Sequence, residues 1–149
     1  MLVTNNLDLL INSLQNSNYI GIDGSNGSGK STLAIGLAAI LNLEHRISGL
    51  SRYIIEGVCL LAVTKHLGLS LDKLIYVKLM DTYDSWNDED NCSVTSDINE
   101  FIENQLALLQ LMCGNKSIKS IGLAEEIIRY HHQYKPQDIA DIIYKRIEE

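Results

Sequence analysis

The sequence is short of the residues that mark special architectures. It has one proline, Pro136, one tryptophan and one phenylalanine, so its core must come from Leu, Ile, Val and Ala. Three cysteines, Cys59, Cys92 and Cys113, are too few and too widely spaced for a disulfide framework or a zinc cluster. They read as reduced thiols of a cytoplasmic protein. Basic residues are outnumbered 12 to 19, giving a net charge of −7. That excludes a general affinity for nucleic acid, which needs basic surface to displace counterions. No apolar run approaches the roughly 18–20 residues that span a bilayer, so no membrane partner is expected. Asp8 interrupts the apolar N-terminal stretch and no basic residues precede it, which argues against a secretory leader. Internal repeats and low-complexity tracts are lacking too.

What remains is the pattern of a globular α/β protein. Hydrophobic residues make up 46% of the 149 positions, a length that favours one domain over 1–149. Leu7, Leu10, Ile11 and Leu14 have helical spacing, predicting a helix over 5–16. Tyr19 to Asp23 reads as a short buried strand, and Ser31 to Leu43 as a helix packed on a sheet. Residues 52–56 read as a second strand, 58–66 as a helix closed by Gly68, and 74–79 as a third strand. The acidic stretch 81–93 reads as an exposed loop. A helix follows over 95–112, with Ser96 as its cap and Ile98, Phe101, Ile102, Leu106 and Leu109 as its apolar stripe. Another helix is predicted from about 120 to 130, and 139–144 reads as a last strand or a helix, its β-branched content favouring the strand. Strands alternating with helices imply a short parallel sheet with helices on both faces, three layers in all.

One segment carries chemistry. Gly24-Ser25-Asn26-Gly27-Ser28-Gly29-Lys30-Ser31 has the spacing G-x-x-x-x-G-K-S, placed between a strand and a helix. Glycines let the backbone turn its N–H groups inward around an anion. The helix that follows aims its positive end at the same point. Lys30 is placed to reach β- and γ-phosphates, and the hydroxyl of Ser31 to hold Mg²⁺, with Thr32 beside it. Glu56, at the carboxyl end of an apolar strand, is the candidate second magnesium partner. Asp23, directly before the loop, either orients it by hydrogen bonds or acts on bound water or metal.

The chain resembles the uridine kinase-like branch of the P-loop nucleoside and nucleotide kinases. The matching stretches are Ile22 to Thr32, then Ile54-Ile55-Glu56-Gly57-Val58-Cys59-Leu60-Leu61, with weaker likeness at 75–78, 130–136 and 140–144. The resemblance implies a P-loop NTPase fold of the kinase-like kind, ATP (GTP being open) with Mg²⁺, and phosphoryl transfer to a small hydroxyl acceptor. It assigns Lys30 to phosphate, Ser31 to the metal, and Glu56 to the magnesium and active-site shell. Such proteins usually carry an acidic residue and a substrate loop after the first helix. Here Leu43 to Ser51 has room for a turn, and Glu44 is its only carboxylate. A nucleotide-binding module that has lost its acceptor site is therefore the second reading. The open sheet edge this shortening leaves has two candidate covers, the N-terminal helix or a second copy of the chain. Arg129 to Pro136, with two histidines, two tyrosines and two cations, reads either as a solvated helix end or as a substrate-facing group.

Overall fold

The computed structural model describes residues 1–41 and 52–147. In chain order the elements are β1 (Leu2–Thr4), α1 (Leu7–Leu14), β2 (Tyr19–Gly24), α2 (Lys30–Leu41), β3 (Tyr53–Glu56), α3 (Leu60–Leu67), β4 (Lys73–Met80), α4 (Glu89–Cys92), α5 (Ile98–Cys113), α6 (Leu123–Tyr134), α7 (Pro136–Ile139) and β5 (Ile142–Ile147). Their contacts divide into two compact units, Met1–Asp88 with Pro136–Glu149, and Glu89–Lys135.

The first unit is built on a five-stranded, all-parallel sheet in the order β1-β5-β4-β2-β3. Alternation along β2 decides what each face meets. Ile20 and Ile22 join Ile54, Ile75, Val77 and Ile142 on one face, closed by Ala34, Leu37, Ala38 and Leu41 of α2 and by Leu10 and Leu14 of α1. Gly21 points to the other face. A Cβ there would lie 3.0 Å from Leu60 of α3 and 2.5 Å from Leu71, so α3 packs on bare backbone. Helices thus lie on both faces, as the strand–helix alternation predicts.

Two aspartates fasten strand starts. Asp72 accepts hydrogen bonds from the backbone N–H groups of Asn18 and Tyr19, at 2.8 and 3.1 Å. Asp141 accepts one from Leu74 at 2.9 Å, tying the start of β4 to the segment before β5.

Several boundaries differ from the sequence reading. The N-terminal helix is shorter and is preceded by β1, a strand of three residues that alternation over so short a span does not reveal. α1 packs on α2 and β1, at the edge opposite β3. Among the described residues β3 pairs with β2 alone. The last strand starts at Ile142, after one turn of helix that begins at Pro136, and runs on to Ile147. The segment 81–93 is not simply exposed. Trp86 and Cys92 are buried, Trp86 makes an antiparallel bridge to Met80, and Asp81 accepts from the N–H groups of Tyr83 and Ser85. The Trp86 ring lies edge-on to Tyr76, with the Lys78 ammonium 3.9 Å above it.

The second unit is helical. Asp97, rather than Ser96, caps α5, accepting from the N–H groups of Asn99 and Glu100. Both residue types make good caps, and the choice falls to the one with extended backbone directly before the first helical turn. Ile102 is buried and the rest of the expected apolar stripe half-buried. α6 starts at Leu123, after Gly122. Arg129 spends its guanidinium on Glu125 (2.9 Å) and Asn99 (3.1 Å), while Tyr130 and His131 are buried. His131 Nδ1 lies 2.7 Å from the Ile127 carbonyl. No described helix is long and apolar enough to cross a membrane.

Candidate functional site

The chain leaves β2 for β3 on one side and returns through α3 to β4 on the other side of β2. β2 therefore ends at a reversal of strand order, where open parallel sheets place their ligands. The Gly24–Ser31 loop fills this position and runs directly into α2.

The loop glycines have the backbone that the motif requires. Gly24, Gly27 and Gly29 have φ of 151°, 77° and 86°. At Gly24 space is also decisive, because a Cβ would lie 2.7 Å from the Val77 carbonyl oxygen of β4. Asp23 is fully buried, and its Oδ1 accepts from the Gly24 N–H at 2.7 Å. Of the two roles open to it, this bond supplies the first, bracing the strand-to-loop turn. Ser28 N–H donates to the Ser25 carbonyl at 3.3 Å, and Leu33 N–H to Gly29 at 3.1 Å, where α2 begins.

Lys30 is turned into the loop and is nearly buried. Its Nζ donates to the Ser25 carbonyl at 2.5 Å and lies 3.4 Å from Ser28 Oγ. Burial pulls the ammonium below the usual lysine range, opposed by the nearby Glu56, Asp23 and Asp88 and, last, Cys59.

Ser31 and Glu56 meet. The Ser31 hydroxyl donates to Glu56 Oε1 at 2.9 Å. The register explains it, since Glu56 pairs with Ile22 and so ends β3 beside the loop. A hydroxyl and a carboxylate oxygen form a hard donor pair that fits Mg²⁺, which keeps most of its shell for phosphate and water. The described residues contain no group of three His, Cys, Asp or Glu that would hold a cation without a ligand's help. A recess of about 290 Å³ opens here, lined by Asn26, Gly27, Gly29, Lys30, Ser31, Thr32, Glu56 and Val58. Two of the three loop glycines, Gly27 and Gly29, and every residue from Lys30 to Thr32 thus face one opening with Glu56.

Two residues reach the loop that sequence reasoning missed. Asp88, at the end of the Trp86-anchored segment, accepts a short hydrogen bond from the hydroxyl of Ser25. Arg146, near the end of β5, lies against Gly29: a Cβ built on that glycine would overlap its Nη1 at 1.4 Å. Arg146 and Tyr144 share two recesses on the side of the loop away from Glu56. One, of about 730 Å³, is lined by Asn5, Gly27, Leu79, Tyr144, Lys145, Arg146 and Ile147. The other, of about 260 Å³, runs along α2 past Thr32, Leu33 and Gly36. Lys145 is committed to Asp84, at 2.9 Å. A basic pair at the carboxyl end of a sheet strand was the available signal for Arg146.

No family model matches the chain, and neither a curated protein nor a solved structure is found similar to it.

Proposed function

We propose that this protein binds a magnesium-loaded nucleoside triphosphate, ATP in first place, and acts as a kinase-like phosphotransferase of the uridine kinase type. The observation that carries the reading is the joint geometry of the loop, with Lys30 turned inward and Ser31 hydrogen-bonded to Glu56. The loop N–H groups and the start of α2 hold the phosphates. Lys30 exchanges the Ser25 carbonyl for phosphate oxygens. Ser31 and Glu56 hold Mg²⁺, which neutralises charge on the phosphates when bound. The recesses at Tyr144 and Arg146 give the nucleoside a place, with the guanidinium as a surface on which a base stacks.

A second reading, binding without transfer, is favoured by the state of the carboxylates. Asp23, Glu56 and Asp88 each accept a hydrogen bond from the loop or α2. The stretch 43–51, where an acceptor-side acid is sought, lies outside the described residues. Labelled ATP incubated with a panel of nucleosides and small alcohols separates the two. A phosphorylated acceptor supports transfer; retained binding with no product from any acceptor supports the module.

Two variants test the roles. Glu56→Gln is expected to weaken ATP binding about tenfold with magnesium and by less than twofold without it, since removing one charged ligand acts through the cation. Equal losses in both conditions, by calorimetry, would count against a metal role. Arg146→Ala is expected to weaken ATP about tenfold and leave inorganic tripolyphosphate unchanged, the range of one stacked cation. Parallel losses would make Arg146 a phosphate ligand instead.

A further inference from the structure

Three carboxylates surround Lys30, and two have evident work. Asp23 braces the turn at Gly24, and Glu56 is joined to the Ser31 hydroxyl. Asp88 is left over. It belongs to the segment after β4, half-buried, and is held in place by the packing of Trp86 two residues earlier. Its Oδ2 accepts a hydrogen bond from the Ser25 hydroxyl. Among the described residues it forms no ion pair: Lys145, on the neighbouring β5, is taken by Asp84. Its charge reaches Lys30, after those of Glu56 and Asp23.

Ser25 joins the two. Its hydroxyl goes to Asp88 and its carbonyl receives Lys30 Nζ. In this arrangement the loop is closed on itself, with an ammonium and a carboxylate held at opposite ends of one residue. A polyphosphate entering the loop draws Lys30 to its own oxygens. Asp88 then loses the ammonium that offsets it and stands next to a new anion. Because Asp88 is half-buried, its repulsion of an incoming anion is screened less than at the open surface. It is largest for a phosphate chain whose charge has not been reduced by a divalent cation.

We infer that Asp88 is an electrostatic gate on the phosphate loop, disfavouring metal-free polyphosphate and so making the loop select the magnesium-bound nucleotide. The inference rests on reading Gly24–Ser31 as a nucleotide loop, and deepens it. It assigns selection to a residue outside the loop and outside the Ser31–Glu56 pair. Glu56 favours the metal-bound form by attraction; Asp88 works from the other side, by repelling the form without metal.

The test is calorimetric titration of the full chain with ATP in EDTA, and with ATP in excess magnesium chloride. Wild type, Asp88→Asn and Asp88→Ala are compared. Asparagine keeps an oxygen for the Ser25 hydroxyl and removes only the charge. Asp88→Asn is expected to tighten metal-free ATP about tenfold and Mg-ATP by no more than about twofold. Asp88→Ala, which removes the charge and the bond together, is expected to tighten metal-free ATP as much as Asp88→Asn does. Unchanged or weaker metal-free binding in Asp88→Asn overturns the gate, as does an equal gain for both forms. A gain in Asp88→Ala with none in Asp88→Asn overturns it too, because the bond and not the charge would then be responsible. A wild type that binds neither form would instead overturn the reading of the loop itself.

Discussion

Replacing Lys30 with alanine is expected to weaken Mg-ATP binding by about a hundredfold or more, with little change in melting temperature. The ammonium is the one full positive charge inside the loop, and charge-assisted bonds to phosphate are each worth about 1.5–3 kcal/mol. Since about 1.4 kcal/mol is a factor of ten, loss of one or two such bonds reaches that range. The fold should tolerate the change for a separate reason. Lys30 is held nearly buried at a desolvation cost that lowers its basicity, and its main partner is a loop carbonyl. Removing it gives up that bond and relieves the burial together. Alanine also suits the first turn of α2. Calorimetry and thermal melting on the same preparation check both halves. Equal affinities in wild type and variant would sink the phosphate assignment.

Gly24→Ala is expected to do the opposite, harming fold and binding together. At φ 151° an L side chain is strained, and here there is no room for one. The added Cβ would lie 2.7 Å from the Val77 carbonyl oxygen and 3.0 Å from Ser28 Oγ. The first is backbone, in the neighbouring strand at the register partner of Gly24, so β2 and β4 must part where the loop begins. We expect a loss of about 2–4 kcal/mol in stability, the sum of backbone strain and overpacking. Gly27→Ala is the control. It shares a positive φ, but nothing lies within 4 Å of its Cβ, so only about 1–2 kcal/mol of local strain applies. Urea denaturation of both variants decides the matter. A Gly24→Ala protein as stable as Gly27→Ala would show that the contact with Val77 does not constrain the turn.

These contrasts show what was legible before the structure. The strand, loop and helix over 19–41 are local: a buried apolar run, glycines at fixed offsets and an Ala- and Leu-rich helix. Glu56 was legible because a carboxylate ending an apolar strand has few other uses, and the register sets it beside Ser31. Asp88 was hidden by its company. An acidic stretch reads as solvated, and only the burial of Trp86 turns it back to the sheet. Arg146 was hidden by a boundary. Ending the last strand at residue 144 leaves the basic pair outside the sheet, whereas β5 carries it to the loop. Both misses depend on contacts between distant segments, which local periodicity does not encode. What those long-range contacts build is a five-stranded parallel sheet flanked by helices.

The central claim is that the loop backbone holds the phosphates of a nucleotide. Amide ¹H–¹⁵N NMR spectra during titration with Mg-ATP test it most directly. The account predicts saturable shifts concentrated at the amides of Gly24 to Thr32, much smaller when adenosine replaces ATP and lost in Lys30→Ala. Unmoved loop amides at saturating Mg-ATP, or equal shifts with adenosine, would contradict it.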